Sequence, residues 1–552
     1  MGVTTVTDIE YQLLQEALED FDWSLFAEFD DPEPDYSNSG ALDIHLYSAN
    51  ASVKKAAEYI CTEIGYTVGR AVTHMKVVLL NLYWTHHLCP DRWIGVSLRH
   101  DRNVSPPRYN PQRIEIYPLS KVLIGLIRNR YIVRQKGFYN RALKAGKCTR
   151  FRATGKLIDF VVGRFGFTVD MVGRHTDEET ICLKDEDKNL IAYGDNRKTT
   201  DMRKFLNEYN RFLQQTYIDI DYMGYVHSKK VRYVSSGLPK ELNFNLAKRR
   251  MRRVFNKGSF LRGGRFYGAF WMEMPSKLRL RLILDKQKVI EADYSGIHIH
   301  LLYNKIRVDY GAKKEDPYAI PGYPTTKKYR NLFKKLLLAA VNAEGDNKHT
   351  GETKAIMALQ EGINYNPGDY PETIPDLVEV IAAFRKHHKP IAKYLFTGKG
   401  LWLMYQDSQI AEFVLREMYK HRIPVLPVHD SFICPKQYSG LLQAAMTRAY
   451  RKVTGNKLTE TPYTVNIKDP DEWDMTCGNP ELTDEDYYFD ITLSKDQDLV
   501  NHMIQMEGDA LYDDEEDTDD TIIEPKTVAP HKLLISVPVE YIRQQVIGDT
   551  ES

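Results

Sequence analysis

Apolar residues recur every three or four positions in some stretches of this chain and every second position in others, and these two periods divide it into elements. Val53, Ala56, Ala57, Ile60 and Ile64 fall at helical spacing, and Val77 to Leu82 continues an apolar face, so residues 51–90 are expected to be helical. Leu119 to Arg130 predicts another helix, with Val122, Leu123, Leu126 and Ile127 on one side. A strand follows at Tyr131 to Arg134, then a basic, glycine-containing loop at Lys144 to Lys147. A returning strand runs from Thr149 to Ala153, and Thr154 caps a further helix. Helix, strand, basic loop and strand is the order of a winged helix; a small α/β subdomain with a solvated basic face is the alternative. Ile181 to Tyr193 alternates like a hairpin, and Arg203 to Leu213 reads as a helix.

Beyond residue 280 the pattern sharpens. A short strand, Val289 to Ala292, ends on Asp293, with a tight Ser295-Gly296 step and an apolar stretch after it. Thr326 to Ala343 and Asp407 to Tyr419 are helical in period. Val425 to Pro435 reads strand–turn–strand, with His429 and Asp430 at the tip. The expected class is α+β.

With 552 residues the chain is long enough for two to four domains. The reading divides it into an acidic flexible arm (1–50), a helical and winged-helix-like region (51–240), a core (241–480) and an acidic tail (481–552). Lys plus Arg and Asp plus Glu both number 75, so net charge points to no partner. The distribution does. Lys121 to Lys156 holds eleven Lys or Arg and no acid, and Lys229 to Arg265 holds twelve against the single Glu241. Two basic surfaces of this kind suit phosphates. The second run leads through Arg250 and Arg253 into Gly263-Gly264-Arg265-Phe266-Tyr267, where glycines allow close approach and Arg and aromatics grip phosphates and bases. None of the six cysteines forms a CxxC pair, which leaves no readable zinc ribbon or disulfide framework. No signal-type apolar run or membrane span is legible, so a reducing, cytosol-like compartment is expected.

Asp293 and Asp430 are candidate metal ligands. Two carboxylates on adjacent strands are hard oxygen donors suited to Mg²⁺. Two such ions about 3.5–4 Å apart can stabilise both ends of an in-line phosphoryl displacement. Between the acids lies a cationic helix. Arg330 and Lys334 are four apart, hence neighbours on one face, and would hold a triphosphate. His298 and His300 are two apart in a helix, do not share a face, and are not expected to form a metal pair.

The order GGRFYG, DYSG, RxxxK on a helix and VHDS resembles the family A nucleic-acid polymerases, which comprise DNA polymerases and phage-type single-subunit RNA polymerases. Asp293-Tyr294-Ser295-Gly296 is similar to their motif A and Val428-His429-Asp430-Ser431 to motif C. Arg330 and Lys334 match the first two positions of the fingers helix, and Asp316-Pro317-Tyr318 resembles the short element before it. Gly264-Arg265 resembles the element that contacts primer and template. The likeness covers about residues 240 to 460.

What the resemblance implies is a right-hand palm and fingers core and two Mg²⁺ ions on Asp293 and Asp430. Incoming nucleotide would meet Arg330, Lys334, His298 and Asn342. Primer and template DNA would meet Gly264, Arg265, Tyr267, His429, Arg250 and Arg253. There are departures. His298 stands where DNA enzymes have a gating Glu, Leu338 and Asn342 where the fingers helix has aromatics, and Ser431 where DNA enzymes have Glu. DNA-directed DNA synthesis is the expected activity, RNA or primase-like synthesis the first alternative, and an inactive DNA-binding replication or mobile-element protein the second. A metal-dependent nuclease using the same acids would need no Arg330.

Overall fold

The computed structural model describes residues 39–66, 69–97, 106–140, 145–220, 228–235, 238–246, 248–311, 315–365, 367–455 and 465–468. The expected acidic arm before residue 39, Lys144 of the expected basic loop and the acidic tail lie outside the described residues; the rest of that loop, Ala145–Lys147, is instead a strand paired with Phe138–Asn140. No helix among those described is long and apolar enough to cross a membrane.

Apolar burial falls into two clusters. The first runs from Leu46 to Val172, the second from Ile181 to Tyr450. The expected boundary at residue 240 therefore falls inside the second cluster, because a helix upstream of it belongs there.

In the first cluster, strand β1 (Ser39–Ala41) is followed by helices α1 (Ala51–Glu63) and α2 (Gly69–Leu88) and strand β2 (Trp93–Val96). Then come α3 (Ile116–Arg128), β3 (Ile132–Gln135), β4 (Thr149–Ala153) and α4 (Gly155–Phe165). The four strands form a sheet in the order β1-β2-β4-β3. The helix–strand–strand order expected from the sequence is present. However, α3 stands where a groove-entering helix would, and Pro118 to Ser120 and Val122 to Ile127 are buried in it. A helix that enters a DNA groove must present side chains to it. The apolar period of α3 is instead satisfied by burial on nearly every side.

In the second cluster, β5 (Ile181–Leu183) precedes α5 (Arg197–Gln215), which opens on a capping box between Asn196 and Thr199. Met202, Phe205, Leu206, Tyr209 and Leu213 recur at helical spacing and are buried. Tyr209 Oη donates to Val425 O (2.7 Å) and accepts from Val425 N (3.1 Å). That bond ties α5 to the approach to Asp430.

The site rests on an antiparallel sheet. Its strands are β6 (Ile218–Ile220), β9 (Leu282–Leu284), β10 (Gln287–Tyr294), β12 (Ser431–Pro435) and β11 (Leu426–Val428), paired in that order, with β13 (Val465–Lys468) also on β10. Strands β7 (Arg252–Asn256) and β8 (Ser259–Tyr267) form a separate hairpin with β5. Helices α6 (Ile297–Lys305), α7 (Lys327–Asn342), α8 (Gly351–Tyr365), α9 (Leu377–His387), α10 (Gly400–Lys420) and α11 (Ser439–Thr454) complete the unit. The class is α+β. Helix α7 matches the expected span, whereas α10 begins seven residues earlier than its apolar period suggested.

Strands β9 and β10 are joined by the two-residue loop Asp285-Lys286, both at positive φ (49° and 63°). That is the geometry of a type I′ turn, whose second position favours Gly. A side chain in the left-handed region is strained by about 1–2 kcal/mol. Lys286→Gly is therefore expected to raise unfolding stability by roughly 0.5–1 kcal/mol, since added chain entropy offsets part of the relief. Chemical denaturation of the two proteins checks this.

Candidate active site

Asp293 is next to last in β10, half-buried, with Ser431 opposite it on one side and Asn466 on the other. Asp430 immediately precedes Ser431, in the two-residue turn that joins Val428 to Ser431. The turn is possible because His429 takes a positive φ of 61°. Pairing across the sheet thus brings two half-buried carboxylates from distant sequence to adjoining strand ends. Among the described residues no group of three or more His, Cys, Asp or Glu gathers so that it could hold a metal.

Buried polar groups fix this register. Glu291, two before Asp293 and on the same face, is 1% exposed. It accepts from Arg279 Nη2 (2.7 Å) and Nε (3.2 Å). Ser431 Oγ donates to it at 2.9 Å. Ser431, where the resembled DNA enzymes carry Glu, therefore faces a carboxylate already in place. A second acid there would need a cation or a proton.

The turn after Asp293 is equally constrained. Gly296 has φ 65°, and a Cβ on it would lie 2.7 Å from Pro317 Cγ. Pro317 O accepts from His388 Nε2 (2.8 Å), whose Nδ1 accepts from Tyr303 Oη (3.1 Å). A carbonyl can only accept, so Nε2 of this buried ring carries a proton. Tyr318 next in sequence is buried, and burial pushes its phenol up; the Arg330 guanidinium pulls the other way and Asp430 adds to the rise. Arg330 lies over the Tyr318 ring, 5.1 Å from its centroid, and donates to Asp316 (2.7 Å). Helix α7 thus packs Arg330 on the ring whose phenol senses the Asp430 charge. Along α7, Arg330, Lys334, Leu338 and Asn342 follow at four-residue spacing and make one stripe. Lys334 is exposed, and Leu338 is 47% exposed. Asn342 donates to Leu338 O (2.8 Å), and a Cβ on Gly400 would lie 1.8 Å from its Oδ1. Its amide spaces α7 from the start of α10.

Several residues expected on a nucleic-acid surface are inside. Arg253 is 1% exposed; it pairs with Glu412 and donates to Gly264 O (2.8 Å) and Ser408 Oγ (3.2 Å). Arg250 is mostly buried, 3.2 Å from Glu178. Both are corrections to the sequence reading. In β7 and the residue just before it, Met251, Arg253 and Phe255 alternate onto one buried face, so the arginine had to turn inward and find a carboxylate. Gly264 (φ 85°) brings the backbone against Phe255 and Ser408 rather than toward solvent.

Arg265 donates from Nε to both Asp407 oxygens (3.0 and 3.1 Å) and pairs with it through Nη2. Burial opposes its charge, and the Asp407 carboxylate more than reverses this, holding the guanidinium above its ordinary pKa. His298 Nε2 lies 3.2 Å from Asp407 Oδ2 and 3.3 Å from Arg265 Nη2. Tyr267 packs edge-on against His429, centroids 5.7 Å apart. Burial, then the Arg265 charge, lowers the His429 pKa from 6.5, so it is neutral at pH 7. Sequence reasoning missed Asp407, Glu412 and Glu291 as parts of this centre. A signal existed: Asp407 falls at helical spacing among Leu403, Ile410, Ala411 and Val414, all buried.

No protein-family model matches the sequence, and no curated protein matches it.

Two outcomes follow from the buried pairs. Arg253→Ala leaves Glu412 largely buried beside Arg416 alone and is expected to cost about 3–5 kcal/mol. The thermal midpoint should fall accordingly, which scanning calorimetry checks; an arginine on the surface would leave it nearly unchanged. Burial raises the Glu412 pKa, but Arg253 and Arg416 hold it below 4.5. The unfolded chain thus takes up that proton first. The stabilisation is complete above pH 4.5 and fades as pH falls below it. Glu412→Gln should be less stable at pH 7 and lose less between pH 5 and 3, as urea unfolding at each pH would show.

Proposed function

We propose that this chain is a template-directed nucleotidyltransferase with a palm-like sheet, and that it extends a DNA primer with deoxynucleotides. The observation that carries the reading is the pairing of Asp293 with Ser431, which sets Asp430 at the adjoining strand end. Helix α7 carries Arg330 and exposed Lys334, and Arg330 lies over the Tyr318 ring, whose phenol senses the Asp430 charge. Half-buried carboxylates at adjoining strand ends are hard oxygen donors that suit Mg²⁺, which keeps several waters and takes substrate phosphates as further ligands. Bound there, two such ions would supply charge neutralisation at the attacking and leaving oxygens.

The chain's own residues do the rest. Asp293 and Asp430 would hold the cations. Lys334, compact and mobile, meets the triphosphate as a point charge, and Arg330 can exchange Asp316 for a phosphate oxygen. His429, neutral and fixed against Tyr267, gives the primer end a polar wall without adding positive charge. Arg265 supports the site from behind through Asp407 rather than contacting the template freely.

RNA synthesis is the second reading. Two observations favour it: Ser431 in place of Glu, and His298 held as a polar rather than acidic group beside Asp407.

A labelled primer–template with Mg²⁺, offered deoxynucleotides, ribonucleotides or neither, tests the reading. Extension with deoxynucleotides is expected. Asp293→Asn and Asp430→Asn should each lower the rate by roughly a thousandfold, the loss of several kcal/mol of transition-state stabilisation. DNA binding and the thermal midpoint should hold. Lys334→Ala should raise the nucleotide KM about tenfold, the worth of a charged hydrogen bond. Full activity in either Asp variant, or shortening of the primer without nucleotide, overturns the proposal.

A further inference from the structure

A line of lysines and aromatic rings runs beside the centre along the first turns of α10. Trp402 and Tyr405 are three apart on that helix, hence neighbours on its surface. Lys305, the last residue of α6, places its Nζ 4.3 Å from the Trp402 ring centroid and 5.9 Å from that of Tyr394. Lys393 lies 5.3 Å from the same Tyr394 ring. Lys198, from the first turn of α5, donates to Tyr405 Oη (2.9 Å) and lies 5.3 Å from its ring centroid. All three lysines are exposed and the three rings half-exposed. None of these lysines forms an ion pair among the described residues. Lys248, Lys328, Lys354, Arg385 and Lys420, by contrast, meet carboxylates.

Three segments distant in sequence thus deliver unopposed charge to one ring-lined strip. The strip leads to chemistry: Trp402 is five residues, or about 7.5 Å of helix rise, from Asp407, which holds His298. Lysines over ring faces gain only about 0.5–1 kcal/mol at exposed sites. A polyanion can therefore draw them off and leave the faces open to stacking. Phosphates with planar bases match both halves. Carboxylates on a peptide match only the lysines.

We infer that this strip binds single-stranded nucleic acid, without sequence preference, by stacking about three bases on Tyr394, Trp402 and Tyr405 while Lys198, Lys305 and Lys393 meet the phosphates. The inference rests on the proposed function only in taking the partner to be nucleic acid.

The test uses the full chain, a fluorescent 12-nucleotide oligothymidylate and no metal or nucleotide, read by anisotropy across a salt series. Trp402→Ala with Tyr405→Ala should weaken binding by about tenfold per ring. The Lys198, Lys305 and Lys393→Ala triple variant should lower the slope of log affinity against log salt by about 2, three contacts at about 0.7 each. These exposed lysine changes keep the test decisive if the ring variant loses its thermal midpoint. A blunt duplex of equal charge should lose much less in the ring variant. Three results overturn the inference: an unchanged salt slope, equal losses on duplex and single strand, or no binding of the oligonucleotide while a peptide of residues 8–35 binds. Primer extension that survives with any of these refutes the strip alone. Normal oligonucleotide binding without extension refutes the proposed activity alone.

Discussion

Everything at this site depends on the antiparallel register of β10 against β12. Because side chains alternate along a strand, a slip of one residue would turn Asp293 to the other face and separate it from the hairpin that carries Asp430. Apolar contacts alone do not forbid that slip. Val289, Ile290 and Ala292 face Pro435, Cys434 and Phe432, all buried, and one buried apolar residue can stand in for another. Glu291 does forbid it. A slipped register would strand a buried carboxylate from Ser431, and the desolvation of an unpaired ion exceeds anything apolar repacking returns.

The same logic recurs between α10 and the β7–β8 hairpin. Asp407 and Glu412, five apart on one helix, meet Arg265 and Arg253. Such pairs add little net stability over apolar groups of equal volume, while breaking one is costly. We read them as keys that admit one alignment of helix and hairpin. That alignment sets His298 against Asp407 and Arg265 and so fixes its ring. It also explains Gly264: the hairpin approaches α10 closely enough that a Cβ there would lie 3.0 Å from Ser408 Oγ, whereas a Cβ on Gly263 would meet Asn256 of the hairpin itself.

Much of this arrangement was legible from periodicity and local chemistry. The strand ending at Asp293, the turn at His429-Asp430 and helix α7 all declare themselves, because each is a local pattern with a local cause. What was not legible is pairing. A basic run looks the same whether its arginines face phosphate or a buried carboxylate 159 residues away, as Arg253 faces Glu412. The glutamate lies on another element, and only the tertiary fold brings the two together. The α3 helix failed for a related reason. Its apolar stripe was visible, but its small and hydroxyl residues, Gly125 and Ser120, sit inside too: a Cβ on Gly125 would lie 2.7 Å from Ile64. Close packing, not polarity, decided its exposure.

The charge distribution is then read differently. The run at 248–253 is arginine-rich, and arginine can be buried because its planar donors satisfy several acceptors at once. Arg249 shows this, donating to Leu246 O, Thr216 O and Ile218 O. Lysine, a strongly hydrated point charge, stays outside. Lys198, Lys305 and Lys393 come from segments with no conspicuous run, yet they converge on the rings of one helix. Density of basic residues along a sequence therefore says little about where a polyanion would lie. A cation whose nearest partner is a ring rather than a carboxylate retains its charge for a ligand. By that criterion a polyanion would meet the strip at the start of α10 rather than the β7–β8 hairpin.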